Sequence, residues 1–286
     1  MRHEDLVLDD LKRRQLVHFS GITELITEHN EEVKTGRWKP YDNGKHEKNA
    51  WAHGSLKNVK NTEQCLLLGE PPQHVIDKAK AFQQALMASD AYRTASERAQ
   101  STKRRRVFEL DGGELDIDRY MGQQDECWVR VTRGLQRPVL RLAVNVSASC
   151  GNDESTFAGV AALGTCCALL AEQSGCSLEI MCAMTSHETK EGCYETAMVF
   201  PVKHAEEPFH QDSLLSLGVP GLFRWYGFNI VDNAMTGKTH YGQGYPRGAT
   251  PALRTHLNVQ HVLEVAWNDG QQRMFLDEFV KTLQDA

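Results

Sequence analysis

The sequence predicts a three-layer α/β protein with a doubly wound, mainly parallel sheet, preceded by a helical, partly irregular N-terminal region. From Pro138 onward, short apolar runs alternate with helical patterns, which is typical of parallel strands joined by crossover helices. Before that part, apolar residues recur mostly at helical spacing and are separated by long polar segments. We therefore expect an N-terminal region over residues 1–106 and an α/β domain over residues 107–286.

The N-terminal region is predicted to contain helices and one long loop. Residues 5–33 predict two helices with a break near Ser20, which would cap the second helix. Residues 34–62 are polar and predict a long loop or arm. Residues 72–100 predict a helix, because their apolar residues fall near helical spacing after a pair of prolines.

The α/β domain is predicted to begin with short strands. The Asp111-Gly112-Gly113 turn predicts a hairpin, and residues 126–134 predict a further strand. The later predicted strands are Val139–Val146, Ser177–Thr185, Tyr194–Val202, Phe228–Asp232 and Val259–Trp267. The later predicted helices are Ser155–Gln173, Asp212–Leu217, Pro220–Tyr226 and Gln271–Leu283.

Composition and charge argue against several classes of protein. The hydrophobic share is 41% and the charged share 24%, which is ordinary for a soluble globular protein. The net charge of -6 argues against a general binder of phosphate backbones, although the first 110 residues are mildly basic. Because Met1 to Arg14 is charged throughout and no apolar run approaches a membrane span, we expect a soluble, cytoplasmic protein with no membrane partner.

The eight cysteines do not predict a metal centre. None forms a Cys-x-x-Cys pair, and Cys166 and Cys167 are adjacent in an apolar helix, where they project in different directions. We therefore expect free, buried thiols in a reducing compartment.

The strongest functional signal lies between Leu140 and Leu170. A short apolar run ends in Asn145-x-Ser147-x-Ser149, followed by a polar loop and an apolar helix. A strand that releases hydroxyls beside the start of a helix forms a small polar pocket at the edge of an α/β sheet. This layout resembles that of a von Willebrand factor A (VWA) domain.

The VWA resemblance implies a divalent-cation site, which this chain would hold in degenerate form. VWA domains bind the ion on an Asp-x-Ser-x-Ser loop, helped by a Thr and an Asp from other loops. Here Asn145 replaces the first Asp and removes a negative charge, so Ser147, Ser149 and Asp232 would bind Mg²⁺ weakly, and no cofactor is expected. Asp153, Thr185 and Ser186 also lie at predicted strand ends or loops and could assist such a site. The serines have a structural alternative, since Ser147 and Ser149 can cap the turn and Ser155 the following helix.

Several landmarks extend the resemblance over residues 70–286. They are the Asp111–Tyr120 segment, Cys127-Trp128, Leu140–Ser149 with its following helix, and a helix-to-strand corner at Phe223–Phe228. In this order they are similar to an uncharacterised, mostly phage-encoded family with a VWA-like domain. The resemblance implies a fold and a viral context, but no activity.

Catalytic signatures are weak in this sequence. Gly237-Lys238-Thr239 resembles the end of a phosphate-binding loop, but Asp232 stands where that loop needs a Gly and no helical pattern follows. Residues 236–250 instead predict a Gly-rich loop over the carboxyl edge of the sheet. No Gly-x-Ser-x-Gly or His-Glu-x-x-His motif is present, so we expect a protein that is not an enzyme.

A basic segment suggests contact with nucleic acid. The candidate contacts are the block Lys103, Arg104, Arg105 and Arg106 together with the aromatic residues Trp38 and Trp51. Single strands are bound by cationic grooves and by aromatic rings on which bases stack. The structural alternative is a solvated linker whose tryptophans pack back on the domain.

The sequence thus leaves two functional hypotheses. The first is a non-enzymatic adaptor in the cytoplasm of an infected bacterial cell, which binds a host or phage protein at the carboxyl edge of the sheet. Its surface would be built by Asn145, Ser147, Ser149, Asp153 and Asp232. The second is a cofactor for phage replication or transcription that binds single-stranded nucleic acid.

Overall fold

The structure is a computed structural model, and its main feature is a seven-stranded sheet. It describes residues 2–9, 12–38, 59–101, 107–109, 114–115, 117–122, 128–130, 138–147, 154–188, 194–230, 245–246, 251–265 and 268–285. The strands of the main sheet are β1 Arg2–Asp9, β2 Lys12–His18, β6 Val139–Asn145, β7 Ser177–Glu188, β8 Tyr194–Lys203, β9 Tyr245–Pro246 and β10 His261–Glu264. A separate small sheet contains β3 Val107–Glu109, β4 Glu114–Leu115 and β5 Trp128–Arg130.

The main sheet has the order β1-β2-β8-β7-β6-β10, with β9 paired to β7. The pairs β2–β8, β7–β6 and β6–β10 are parallel, whereas β1–β2, β8–β7 and β7–β9 are antiparallel. The predicted α/β class with a mostly parallel sheet is therefore confirmed. The strands β6, β7 and β10 run in one direction and end at one side of the sheet, which we call the carboxyl edge.

The helices of the described residues follow the strands in chain order. They are α1 Ile22–Lys34, α2 Val59–Leu68, α3 Gln73–Met87, α4 Asp90–Ser101, α5 Ile117–Met121, α6 Glu154–Ser174 and α7 Gln211–Ser216. A π-helix, Leu222–Gly227, continues directly into the short helix α8, Phe228–Ile230. The last two are α9 Pro251–Leu257 and α10 Asp269–Asp285.

Helix α6 lies at the centre of the molecule. Its side chains are buried almost continuously from Phe157 to Ala171, because the sheet covers one side and α3, α4, α7 and α10 pack around the others. By length and composition it is the one helix of the described ranges that would suffice to cross a bilayer. A fully enclosed core helix has the same composition, and that is the position α6 occupies.

The sheet buries both of its faces. Side chains alternate along each strand, so Leu142 and Val144 face the large core with α6, while Ala143 joins a smaller cluster on the other face. That second cluster includes Leu257 and Val259, at the end of α9 and just after it. Two covered faces are compatible with the three-layer arrangement that the sequence predicts.

Several predicted elements differ from the structure. Residues 5–18 were expected to be helical, but they belong to the strands β1 and β2, and β2 pairs with β8. Long-range pairing decides their conformation, and local spacing does not record it. The break at Ser20 and the following helix are confirmed, although Gly21 occupies the N-cap position and Ser20 N–H donates to Glu24 Oε2 over 2.5 Å.

Three further differences concern short elements. The helix predicted over residues 72–100 is two helices, α3 and α4. The strands of the expected Asp111 hairpin do not pair with each other, because β3 and β4 each pair with β5. The strand expected at Phe228–Asp232, and with it the helix-to-strand corner, is wrong, since the π-helix runs on into α8.

The proposed boundary at residue 106 does not separate two cores. Strand β2 lies in the same sheet as β8, and α3 packs on α6. Residues from both sides of that boundary therefore bury the same apolar surface.

Candidate functional site

Three strand ends bring polar side chains together at the carboxyl edge. Asn145 is the last residue of β6 and is aligned with Glu264, the last residue of β10. Thr185 lies on β7, two residues beyond Ala183, which is aligned with Asn145. Because Asn145 and Thr185 are buried and Glu264 is half-buried, their polar atoms need partners within the protein.

The amide of Asn145 joins the three strands. Its Nδ2 donates to Thr185 Oγ1 over 2.9 Å and to Glu264 Oε2 over 2.7 Å. Its Oδ1 accepts the Ser147 backbone N–H over 3.1 Å. A carboxylate only accepts hydrogen bonds, so the contact with Glu264 places the amide nitrogen on that side.

This arrangement explains why an amide occupies position 145. An Asp there would face the Glu264 carboxylate at hydrogen-bond distance and would donate nothing to it. Two like charges at that distance repel, and one of them would have to take up a proton. The acidic group of this edge is therefore supplied by β10 and not by β6.

Ser147 has a structural partner in the network. Its Oγ accepts the Thr185 backbone N–H over 2.5 Å, and the serine is 7% exposed. The turn after β6 is thus fixed to β7 by one side-chain and one backbone hydrogen bond. The structural alternative for Ser147, a hydroxyl that holds the turn, describes its position.

The described members of this set do not fit a magnesium ion. The Asn145 oxygen that would bind a cation already accepts the Ser147 N–H, and the Ser147 hydroxyl already accepts the Thr185 N–H. Among the residues described above, no three His, Cys, Asp or Glu side chains come together as a metal site. The hard, charged oxygen donors that Mg²⁺ prefers are reduced here to the Glu264 carboxylate, which the Asn145 amide contacts.

The remaining predicted site residues lie outside the described ranges. They are Ser149, Asp153, Asp232, Trp51, Lys103, Arg104, Arg105, Arg106 and the Gly-rich loop. Sequence reasoning named Asn145, Ser147 and Thr185, which the structure brings together, but it missed Glu264. A carboxylate at the end of a short apolar strand, Val262-Leu263-Glu264, was the available signal.

A second carboxylate fixes the helix that starts near this edge. Glu154 begins α6, and it pairs with His74 Nε2 and accepts a hydrogen bond from Lys78 Nζ over 3.5 Å, both from α3. The segment between Ser147 and Glu154 contains Ser149 and Asp153. Both ends of that segment are therefore held by side-chain contacts.

A separate polar cluster lies beneath the π-helix. Asn229 Nδ2 lies 2.6 Å from His29 Nε2, and Tyr226 Oη donates to Glu63 Oε2 over 3.3 Å. Burial lowers the pKa of His29, and burial followed by the Glu63 charge raises the pKa of Tyr226. These groups are uncharged at neutral pH, and they connect the π-helix and α8 to α1 and α2.

Trp38 belongs to this same region. Its indole is 7% exposed and contacts the ring of His29 edge-on, with the centroids 6.2 Å apart. The side chain therefore packs into the core and does not present a free face for a stacked base.

The thiols that the structure describes are buried and free. They are Cys65, Cys166, Cys167, Cys176 and Cys182. Burial raises the pKa of Cys65 to about 11 and that of Cys166 to about 12. These two groups are therefore protonated and unreactive at neutral pH.

Comparison with known proteins identifies a family and no activity. No curated protein and no solved structure matches the chain. A single family model matches nearly its whole length, from residue 4 to residue 284. The chain thus belongs to the family described as a domain of unknown function, DUF7192.

Proposed function

We propose that the chain is a non-enzymatic binding protein that recognises a protein partner at the carboxyl edge of its sheet. The observation that carries the proposal is the Asn145 amide, which joins β6, β7 and β10 at that edge. A buried network in which the amide bonds three partners holds the strand ends in one geometry. Rigid strand ends that carry polar loops are a common scaffold for recognition.

The finer assignment to a VWA-like fold belongs to the same proposal. Strand β6 has a parallel neighbour on each side and leads into the enclosed helix α6, which supports the resemblance. In this proposal, the segment with Ser149 and Asp153 and the loop with Asp232 form the contact surface around the fixed network. The partner is a host or phage protein in the cytoplasm of an infected cell, and no cofactor takes part.

The alternative function, binding of single-stranded nucleic acid, loses one of its two aromatic platforms. Trp38 packs into the core, so this function would rest on Trp51 and the basic block Lys103–Arg106. We keep it as the second candidate because those residues lie outside the described ranges.

The test uses substitutions that leave the buried network intact. Ser149→Ala combined with Asp232→Asn should abolish capture of a partner from infected-cell lysate, while the thermal midpoint stays unchanged. Ser147→Ala is unsuitable alone, because it would leave the buried Thr185 N–H without its acceptor. A matched control is Ser174→Ala, at the end of α6 far along the helix from Glu154.

Two outcomes decide between the candidates. Capture that survives the double change removes the carboxyl edge as the binding surface. Binding of a labelled single-stranded oligonucleotide that weakens steeply with salt, and is lost on Arg104→Ala, Arg105→Ala and Arg106→Ala together, would establish the alternative.

A further inference from the structure

A half-open groove lies on the side of the sheet edge opposite Asn145. It has a volume of about 220 Å³ and lies between α1, α2, β8 and α7, and we call it the α2–β8 groove. Its lining is mainly apolar and includes Ile22, Leu66, Leu68, Phe200, Val202 and Leu217. The volume falls below the roughly 300–1,000 Å³ of pockets for drug-sized ligands, so it fits one large side chain better than a cofactor.

Two leucines extend the apolar surface beyond the groove. Leu67 and Leu68 are 42% and 58% exposed, and they are adjacent at the end of α2. Gly69 ends the helix with φ +62°, and the Glu70 N–H donates to the Cys65 carbonyl over 3.1 Å. This helix end is closed by a standard hydrogen-bonded turn, so the leucines are held in place at the rim of the groove.

The rim of the groove is acidic. Glu70 follows Gly69, and Asp212 precedes Ser213; both glycine and serine line the groove, and both acids are exposed. Glu206 and Glu207 follow the groove residue Val202 closely and are also exposed. Such a rim attracts a cationic partner and repels an anionic one.

The neighbouring lysine does not offset these charges at the surface. Lys203 is 8% exposed, and its Nζ donates to the carbonyls of Leu178 and His204 over 2.8 and 3.0 Å. Its ammonium group points into the protein and serves the backbone there.

The groove is distant from the candidate site along the strands. Strand β8 runs antiparallel to β7, so Pro201 is aligned with Met181, near the beginning of β7, whereas Thr185 lies further along it. A partner in the groove and a partner at the carboxyl edge would therefore contact different ends of the sheet.

We propose that the α2–β8 groove binds a peptide segment with one large apolar side chain flanked by Lys or Arg. The apolar side chain fills the groove and packs against Leu67 and Leu68, and the flanking cations meet Glu70, Asp212 and the two glutamates after Lys203. An apolar anchor in a pocket supplies most of the affinity of such contacts, and the charges supply the choice of partner.

The experiment measures fluorescence anisotropy with three labelled peptides. The first carries one Phe flanked on each side by Lys, the second has Glu in place of each Lys, and the third has Ala in place of Phe. We expect the first peptide to bind at least about tenfold more tightly than either of the others.

Two variants at exposed positions connect the binding to the groove. Leu68→Ser should weaken the Lys-flanked peptide about fivefold or more, while Met274→Ser, at an exposed methionine on α10, should leave it unchanged. Glu70→Lys combined with Asp212→Lys should reverse the preference, so that the Glu-flanked peptide binds more tightly.

The proposal is overturned by any of three results. They are no saturation by the Lys-flanked peptide below about 1 mM, equal binding of the two charge types, and an unchanged affinity in Leu68→Ser. None of these results bears on capture at the carboxyl edge, which the Ser149 and Asp232 substitutions test separately.

Discussion

Asn145 and Glu264 form an amide–carboxylate pair across two parallel strands, with Nδ2 and Oε2 2.7 Å apart. The two residues are also aligned in the register of β6 and β10. The charge expected at the end of β6 is therefore present one strand away, and the amide neutralises nothing but orients it.

Exchanging the two groups should preserve the pair. Asn145→Asp alone places two carboxylates together and should lower the free energy of unfolding by about 2–4 kcal/mol. Asn145→Asp with Glu264→Gln restores a donor facing an acceptor and should recover most of that loss. Urea unfolding of the wild type, both single variants and the double variant measures the coupling, and simple additivity would contradict the pair.

Two glycines next to the π-helix should not tolerate a methyl group. A Cβ on Gly221 would lie 2.7 Å from Thr62 Cγ2, and a Cβ on Gly227 would lie 2.5 Å from Met184 Sδ. We expect Gly221→Ala to lower the free energy of unfolding by about 1–3 kcal/mol.

Gly159 provides the matched control. A Cβ there would meet Phe82 at 3.7 Å, an ordinary contact, in the interior of α6. Gly159→Ala should leave the unfolding midpoint unchanged or raise stability by about 0.5–1 kcal/mol. Equal losses at Gly159 and Gly221 would show that the crowding near Thr62 is not the cause.

The buried histidines should make the fold less stable in acid. Burial lowers the pKa of His29 and of His261 below the usual 6.5, so the unfolded chain takes up protons at a higher pH than the folded protein does. Stability is then complete above about pH 6.5 and is lost as the pH falls toward the folded-state pKa values.

Urea midpoints at about pH 7.5 and about pH 5 test this dependence. His29→Gln should reduce the difference between the two midpoints, whatever its effect on stability itself. His210→Gln, at an exposed position, is the control and should keep the wild-type difference. A difference that His29→Gln leaves unchanged would exclude His29 as a source.

The buried thiols should be protected until the protein unfolds. In a variant with Cys127, Cys150 and Cys193 replaced by Ser, the remaining five cysteines are all buried. An aromatic disulfide reagent at about pH 8 should modify none of them in the native protein and all five in denaturant. Rapid modification of the native variant would contradict their burial.

The sequence predicts the centre of the fold well and its periphery poorly. Strand β6, helix α6 and strand β7 are long, strongly apolar and bounded by Pro138 and Gly175, so their type follows from local pattern. Strand β2 offers only Leu16 and Val17 as an apolar pair, and what makes it a strand is β8, far away in the chain. The short apolar run at Phe228 is equally ambiguous, and the π-helix before it decides its conformation.

The candidate site shows the same limit. Asn145, Ser147 and Thr185 follow from the ends of predicted strands. Glu264 does not, because its role depends on which strand lies beside β6, and sequence spacing does not reveal the order of a sheet. A hydrogen bond across that order turned a missing acid at position 145 into an acid on the neighbouring strand.

The connectivity of the sheet has a consequence for how the chain folds. Arg13 pairs with Tyr194, and Leu142 pairs with His261, so the sheet is completed by contacts between segments far apart in sequence. Closing such long loops is entropically costly and slows folding. On a ribosome, β2 would wait for β8 and β6 for β10 to emerge, and until then their unpaired edges and the apolar surface of α6 would be open to chaperones and to aggregation.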